Sequence, residues 1–186
     1  GSITGVELQE KAAQQAERSV AENGFSATVG IVRGDARRLS DLFPAGSLDG
    51  IACNPPYTPP GAGIPCGDAA RRTARQGDTL SLEDLARGAR RALRFGGRLC
   101  LCLRPQRLGE AVGLFQRFQL EPKRLRLCQQ RPGKAPFLLL LECRRGGRPG
   151  MDVGPVLLLE GEDGRPTGEL EAIYGDYRDN PEHQRR

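Results

Sequence analysis

The sequence predicts an α/β chain organised on a mainly parallel, doubly wound sheet that closes with an antiparallel hairpin. Three observations carry that prediction. Short β-rich runs alternate with helix-patterned stretches from residue 3 to residue 118, the order that lays helices on both faces of a parallel sheet. The early runs end in polar or turn-forming residues, at Glu7, Gly34-Asp35 and Asn54. Two later apolar runs flank the turn Arg131-Pro132-Gly133-Lys134, as the strands of a hairpin do.

Taken in order, Ile3–Glu7 reads as a short strand ending in an acid. Residues 8–22 read as a helix, with Ala12, Ala13, Ala16 and Val20 near helical spacing and Asn23-Gly24 as the stop. Residues 27–33 are β-rich, 36–42 form a short helical turn, and Leu48–Cys53 is the next strand. Residues 58–80, rich in proline, glycine and arginine, read as a long surface loop, a length that is usually functional or disordered. Ser81 opens the next helix as N-cap, with Glu83 and Asp84 in the turn where the helix dipole favours negative charge. That helix runs to about residue 94 with Gly96-Gly97 as its stop; Leu85, Ala89 and Leu93 line one face, and Arg87, Arg91 and Arg94 lie mostly on the other. A strand over 98–103, a helix over 107–118 and hairpin strands over 125–129 and 137–143 follow, the hairpin giving the sheet an antiparallel edge. Beyond residue 144 the pattern fades to one strand candidate at 156–160. The expected organisation is one domain over 1–175 and a polar, frayed tail over 176–186, with no internal repeat.

Composition bounds the class. A chain of 186 residues is long enough for one real core, and 38% hydrophobic with 27% charged residues is ordinary for a soluble globular chain. The longest apolar run, 137–141, falls far short of the roughly 20 residues a membrane span needs, and no leader pattern opens the chain. The six cysteines, at 53, 66, 100, 102, 128 and 143, form no Cys-x-x-Cys pair. Four of them lie in apolar segments, which points to a reducing cytoplasm and no disulfide framework. Cys100 and Cys102 share a strand face without further ligands, and His183 sits in the polar tail, so neither a metal site nor a catalytic histidine is expected. The net charge of +5 comes from 28 basic and 23 acidic residues. Arginine exceeds lysine, which suits forked recognition of phosphate or carboxylate but also follows from GC-rich coding. Charge therefore permits a nucleic-acid partner without requiring one.

Three strand ends could carry chemistry. Glu7 precedes a helix: a carboxylate there can chelate the vicinal hydroxyls of a ribose, or merely complement the helix dipole. Asp35 can accept from an exocyclic amine while the Ala36 N–H donates to a ring nitrogen, together reading an adenine edge; it can equally be a helix N-cap. Asn54-Pro55-Pro56-Tyr57 is more specific. Its prolines fix φ and remove two donors, which ends the strand in a stiff turn. The Asn54 side-chain oxygen and the Pro55 carbonyl can each accept one N–H of a planar amine, and Tyr57 can stack on the ring that bears it.

With those residues in view, 3–175 resembles the class I S-adenosylmethionine-dependent methyltransferases that methylate amines through Asn-Pro-Pro-Tyr. Within that group it is most similar to the bacterial tRNA adenine-N6 methyltransferase family. The resembling stretches are Ile3-Thr4-Gly5-Val6-Glu7, Gly34-Asp35-Ala36, 54–60, Ala74-Arg75, 82–93, 95–103 and 156–174, the last with Asp163-Gly164 and Ile173-Tyr174. The resemblance implies a Rossmann-like fold, S-adenosyl-L-methionine as cofactor and tRNA as partner, with no membrane. It implies Glu7 on the cofactor ribose, Asp35 and Ala36 on its adenine, and Asn54 between cofactor and target. It further implies Asn54, Pro55 and Tyr57 as the target-base site. Arg71, Arg72 and Arg75 are candidate phosphate contacts by charge and position, although Gln76-Gly77 replaces the His-Glu common in relatives. The family's glycine-rich loop, its preceding strand and its following helix lie upstream of the segment matching Ile3–Glu7 and are absent from these residues. The corresponding expectation is weak or absent cofactor binding by residues 1–186 alone. A protein glutamine N5-methyltransferase, a DNA adenine methyltransferase and a non-catalytic RNA-binding module that has lost its cofactor loop are the alternatives.

Overall fold

The computed structural model describes residues 1–55 and 80–175. The expectations for the 58–80 loop, for Tyr57, Arg71, Arg72 and Arg75, and for the tail lie outside the described residues. The chain begins with strand β1 (Ile3–Glu7), helix α1 (Glu10–Glu22) and strand β2 (Val29–Arg33). β1 and β2 pair in parallel, Ile3 opposite Val29 and Glu7 opposite Arg33, as a separate two-stranded sheet. A 3-10 turn (Ala36–Arg38) and helix α2 (Leu39–Leu42) lead into strand β3 (Leu48–Cys53). The parallel pairing and the βαβ order are those the alternation predicts.

The second sheet is six-stranded. Helix α3 (Leu82–Ala92) feeds strand β4 (Leu93–Leu103), and helix α4 (Leu108–Arg117) feeds strand β5 (Leu120–Gln129). Strand β6 (Leu138–Arg145), short strands β7 (Asp152–Val153) and β8 (Leu157–Leu158), and helix α5 (Gly168–Tyr174) complete the described chain. The order is β3-β4-β6-β5-β7, with β8 also on β5; β3 and β4 run parallel, and β6 is antiparallel to both β4 and β5. Among the described residues β1 pairs only with β2, and β3 only with β4.

Two expectations are corrected. The hairpin forms, but β6 lies inside the sheet rather than at its edge. Leu139, Leu141 and Cys143 of β6 are buried, and an edge position would leave one side of so apolar a strand unpaired. Gly96-Gly97 does not end the helix either. Leu93 already pairs with Leu48 and is fully buried, whereas Gly50 pairs with Arg98, so the intervening residues bulge from β4. Gly96 takes φ +77°, and a Cβ on Gly97 would stand 2.9 Å from the Arg94 carbonyl oxygen; only glycine fits that bulge. β7 and α5 were not anticipated as elements; Thr167 caps α5 by accepting from the Leu170 N–H.

One face of the larger sheet is dry. Leu99, Leu101 and Leu103 of β4 alternate inward with Leu139 and Leu141 of β6, beneath Leu82, Leu85 and Ala89 of α3 and Phe115 of α4. Each such leucine contributes about 1.5–3 kcal/mol by leaving water. Ser81 holds the start of α3 as anticipated: its hydroxyl accepts the Asp84 N–H at 3.0 Å and donates to the Asp84 carboxylate at 2.6 Å. The β1–β2 unit is tied to this sheet through α2, whose Leu39 is buried against α3 at Gly88. Among the described residues no helix is long and apolar enough to cross a membrane.

Two glycine-to-alanine changes are expected to act with opposite signs. A Cβ at Gly88 would lie 2.9 Å from Leu39 Cβ, and overpacking costs typically 1–3 kcal/mol against a helix-propensity gain of about 1. Gly88→Ala should therefore lose roughly 1 kcal/mol. Gly113, inside α4, has open space around its Cβ position, so Gly113→Ala should gain about 0.5–1 kcal/mol. Urea unfolding midpoints check both; a stabilised Gly88→Ala would mean that α2 does not bear on α3 here.

Candidate functional site at the strand tips

Glu7 and Asp35 stand on neighbouring strand ends, since β1 and β2 run side by side and the Gly34 N–H donates to the Glu7 carbonyl at 2.9 Å. Glu7 Oε1 accepts the Gln9 N–H at 2.8 Å, which fixes the half-exposed carboxylate over the start of α1. Among the described residues its Oε2 makes no hydrogen bond, so one oxygen remains to accept from a ligand hydroxyl.

Asp35 is more fully engaged. Its Oδ1 accepts the Arg37 N–H at 2.9 Å and caps the 3-10 turn, the cap reading the sequence allows. The Arg37 guanidinium then clasps the same carboxylate, with Nε 3.0 and 2.9 Å from the two oxygens and Nη2 2.7 Å from Oδ2. These bonds to Arg37 hold the Asp35 carboxyl below the usual aspartate range, against a smaller opposing effect of burial. An adenine amine reaching Asp35 would meet a carboxylate already engaged by this fork. Sequence reasoning missed Arg37; the signal was an arginine two residues beyond an N-cap aspartate, close enough to fold back on it.

Asn54 and Pro55 stand at the tip of β3. Cys53, opposite Leu101 on β4, packs against the dry core with Leu48 and Ile51, and burial pushes its thiol up to about 11. Asn54 is exposed, while Pro55 is fully buried. The backbone is thereby anchored one residue beyond the amide that it presents. Asn54 also lines an open groove of about 780 Å3 on the uncovered face of the sheet, bordered by Cys100, Cys102, Leu140, Glu142 and Val153. Burial raises the Cys100 thiol as well, with the Glu142 carboxylate adding to it. The five described cysteines are free thiols.

The structure thus brings Glu7, Asp35 and Ala36 together on one pair of strand ends and puts Asn54 and Pro55 on the tip of β3 in the larger sheet.

No protein-family model matches the chain. It is 33% identical over 147 residues to a tRNA1(Val) (adenine(37)-N6)-methyltransferase of Yersinia enterocolitica, covering 77% of this chain and 56% of the relative. A Yersinia pseudotuberculosis protein of the same description is 30% identical over 181 residues, with 94% of this chain and 68% of the relative covered. The Bacteroides fragilis counterpart is 29% identical over 140 residues, covering 75% and 58%. The chain therefore spans from 56% to 68% of the length of these relatives. Among solved structures, a predicted O-methyltransferase from Agrobacterium tumefaciens superposes with a TM-score of 0.70 at 21% identity, over 91% of this chain and 75% of that one. TrmN from Thermus thermophilus gives 0.51 at 23% identity, over 77% and 36%. These likenesses establish the Rossmann-like class I methyltransferase fold.

The fork on Asp35 gives a pH-dependent prediction. A carboxyl held low in the folded state contributes stability that is present above its unfolded pKa, about 3.9, and lost as pH falls through the lowered folded value. Arg37→Ala should therefore cost up to about 1 kcal/mol near neutral pH, and the difference should vanish well below the unfolded pKa. Urea unfolding at both pH values tests it, with carboxyl NMR reporting an Asp35 pKa that rises in the variant. A difference that persists in acid would assign the effect to the arginine stem instead.

Proposed function

The chain belongs to the family of the tRNA1(Val) (adenine(37)-N6)-methyltransferases, and on that premise we propose that the protein methylates the exocyclic N6 of an adenine in tRNA, in the cytoplasm. The observation that carries this reading is the tip of β3, where an exposed Asn54 is held on a fully buried Pro55. The Asn54 Oδ1 and the Pro55 carbonyl each accept one N–H of the target amine. That fixes the plane of the amine and raises the electron density on its nitrogen without a strong base. Tyr57 stacks on the adenine ring. The target base has to be unpaired or extruded, because neither acceptor can reach inside a stack.

The cofactor implied by the family fits in part. Glu7, with one oxygen fixed by Gln9 and the other open, suits the hydroxyls of the cofactor ribose. Asp35, held in place by Arg37, and the Ala36 N–H suit its adenine. S-adenosyl-L-methionine, when bound, supplies an activated methyl group on a sulfonium. The contribution of the chain is then chiefly to position the amine, and misplacement by about 1 Å can cost a hundredfold in rate. Arg71, Arg72 and Arg75 serve as phosphate contacts in the same reading.

Labelled methyl donor and the whole protein, offered total tRNA, duplex DNA and a release factor in parallel, should label the tRNA. Labelling of the protein alone would end the RNA reading, labelling of DNA alone would make the substrate duplex DNA, and tRNA binding with no labelling would indicate a non-catalytic module. Asn54→Ala should lower tRNA methylation by roughly a hundredfold or more while RNA affinity holds.

A further inference from the structure

The edge of the larger sheet opposite Asn54 is cationic. Leu48 pairs with Leu93, and Leu120 with Arg145, so β3, β4 and β5 begin where β6 ends. Arg98 stands directly across from Arg144, and like charges so placed destabilise a sheet. Arg98 reaches the Glu142 carboxylate at 3.9 Å, but Arg124 shares that acid at 3.7 Å. On the other side of Arg144 lies Glu121, whose carboxylate accepts from Gln116 Nε2 at 3.2 and 3.4 Å. Arg94 is taken by Asp49. Arg144 and Arg148 are exposed, and among the described residues neither forms an ion pair. Arginines near the end of α3, such as Arg90, complement the helix dipole. That explanation does not reach Arg144 and Arg148, which lie on β6 and just beyond it.

An aromatic ring stands among these cations. Phe95, in the bulge of β4, is 75% exposed. Its ring lies against Gly146, where a Cβ would run into Cε2, Cδ2 and Cζ. Gly146 takes φ +66°, and its N–H donates to the Gln119 carbonyl at 2.9 Å. The Gly147 N–H closes the turn onto the Arg144 carbonyl at 3.2 Å, and Lys123 Nζ holds the Arg148 carbonyl at 3.1 Å. A lone apolar side chain on a surface is ordinary. Phe95 differs in having a pinned seat under one side of its ring and exposed guanidinium groups beside it.

We propose that Phe95, Arg144 and Arg148 form a second RNA site, in which an unpaired base stacks on the Phe95 ring and the two arginines hold the flanking phosphates. The inference rests on the tRNA reading above and adds a grip on the substrate away from the target base. Asn54 stands about 20 Å off, the length of the six-residue β3, so the two sites hold different parts of one RNA. Stacking tolerates any sequence because every base has a π-face, and arginine contacts to phosphate set orientation without reading bases.

The test is fluorescence anisotropy of the whole protein with total tRNA and with a single-stranded oligouridine of about 12 nucleotides, which offers Asn54 no adenine. Both are titrated at several salt concentrations. Phe95→Ala should weaken oligouridine binding about fivefold or more and leave its salt slope unchanged, because a stack is lost and no charge. Arg144→Ala and Arg148→Ala should each flatten the slope of log K against log salt by about 0.7. Arg18→Ala, on the exposed side of α1 beside the two-stranded sheet, should change neither. Residues 1–186 hold no tryptophan, so Phe95→Trp should keep the affinity and add an emission that oligouridine quenches. Thermal melts establish that the variants fold. If tRNA binds while oligouridine does not, or while the Phe95, Arg144 and Arg148 variants bind both as the wild type does, the site is wrong and the tRNA reading stands. If Arg18→Ala weakens binding as much as Arg144→Ala, attraction is diffuse and the site is likewise wrong. If Phe95→Ala turns a sedimenting dimer into a monomer with RNA affinity unchanged, the face joins two copies of the chain and the site is wrong. If neither RNA binds at any salt, the tRNA reading fails and takes the site with it.

Discussion

The placement of the site depends on one close approach, that of Leu39 to Gly88. The β1–β2 pair carries Glu7 and Asp35, the larger sheet carries Asn54, and no strand pairing joins the two among the described residues. What fixes one set of strand ends against the other is α2 lying on α3. That approach is possible because Gly88 of α3 is buried and bears no side chain, a Cβ there lying 2.9 Å from Leu39 Cβ. The bare glycine lets Leu39 fill the space a side chain at 88 would need, and close packing in a core tolerates little adjustment. The helix also holds this joint from the chain end: the Gly46 N–H, in the connection before β3, donates to the Arg91 carbonyl at 2.9 Å.

The tip of β3 applies the same logic on a smaller scale. Alternation along the strand sends Ile51, Cys53 and Pro55 towards the core and leaves Ala52 and Asn54 on the open side. A polar amide at the end of an apolar strand is costly if buried and imprecise if loose. Here the buried proline directly after it removes the looseness, because its ring fixes φ and its packing fixes the chain path. Arg94 reaches Asp49 at the other end of β3, and Arg145 reaches the Leu93 carbonyl beside it. The strand is thus tied down along its length, not only by its ladder.

Much of this was legible. Ile3–Glu7 and Leu48–Cys53 form as strands at the bounds their composition suggests, and Ser81 caps the helix its position predicts. Those features are local: turn chemistry, capping and short-range periodicity settle them. The position of β6 between β4 and β5 was not legible, because strand order depends on which apolar faces meet across long separations. The start of β4 at Leu93 was hidden for a related reason. Gly96-Gly97 reads as a helix stop, and only the pairing of Leu93 with Leu48 turns the same glycines into a bulge. At the site, the residue type at each strand end was readable, while the partner that occupies Asp35 was not. An arginine side chain has many rotamers, and the one that forks back on Asp35 is chosen by a three-dimensional neighbourhood.

The chemistry open to the site follows from which groups can titrate near Asn54. The Cys53 thiol, next along the chain, is pushed up to about 11 by burial and stays neutral at physiological pH, so it is neither base nor nucleophile. Cys100, on the groove, is raised by burial and by Glu142. Glu142 itself lies between Arg98, at 3.9 Å, and Arg124, at 3.7 Å, on the sheet face rather than at its edge. Among the described residues, what the tip of β3 offers is therefore neutral: an amide oxygen and a main-chain carbonyl. Neutral acceptors suit an aromatic amine, whose lone pair is delocalised and whose nitrogen needs orientation more than deprotonation before attack. A charged group at that place would lose solvation on burial, which shifts a carboxyl or an amine towards its neutral form. An amide pays no such penalty, so the strand tip can be rigid, partly dry and still hold a hydrogen-bond acceptor at full strength.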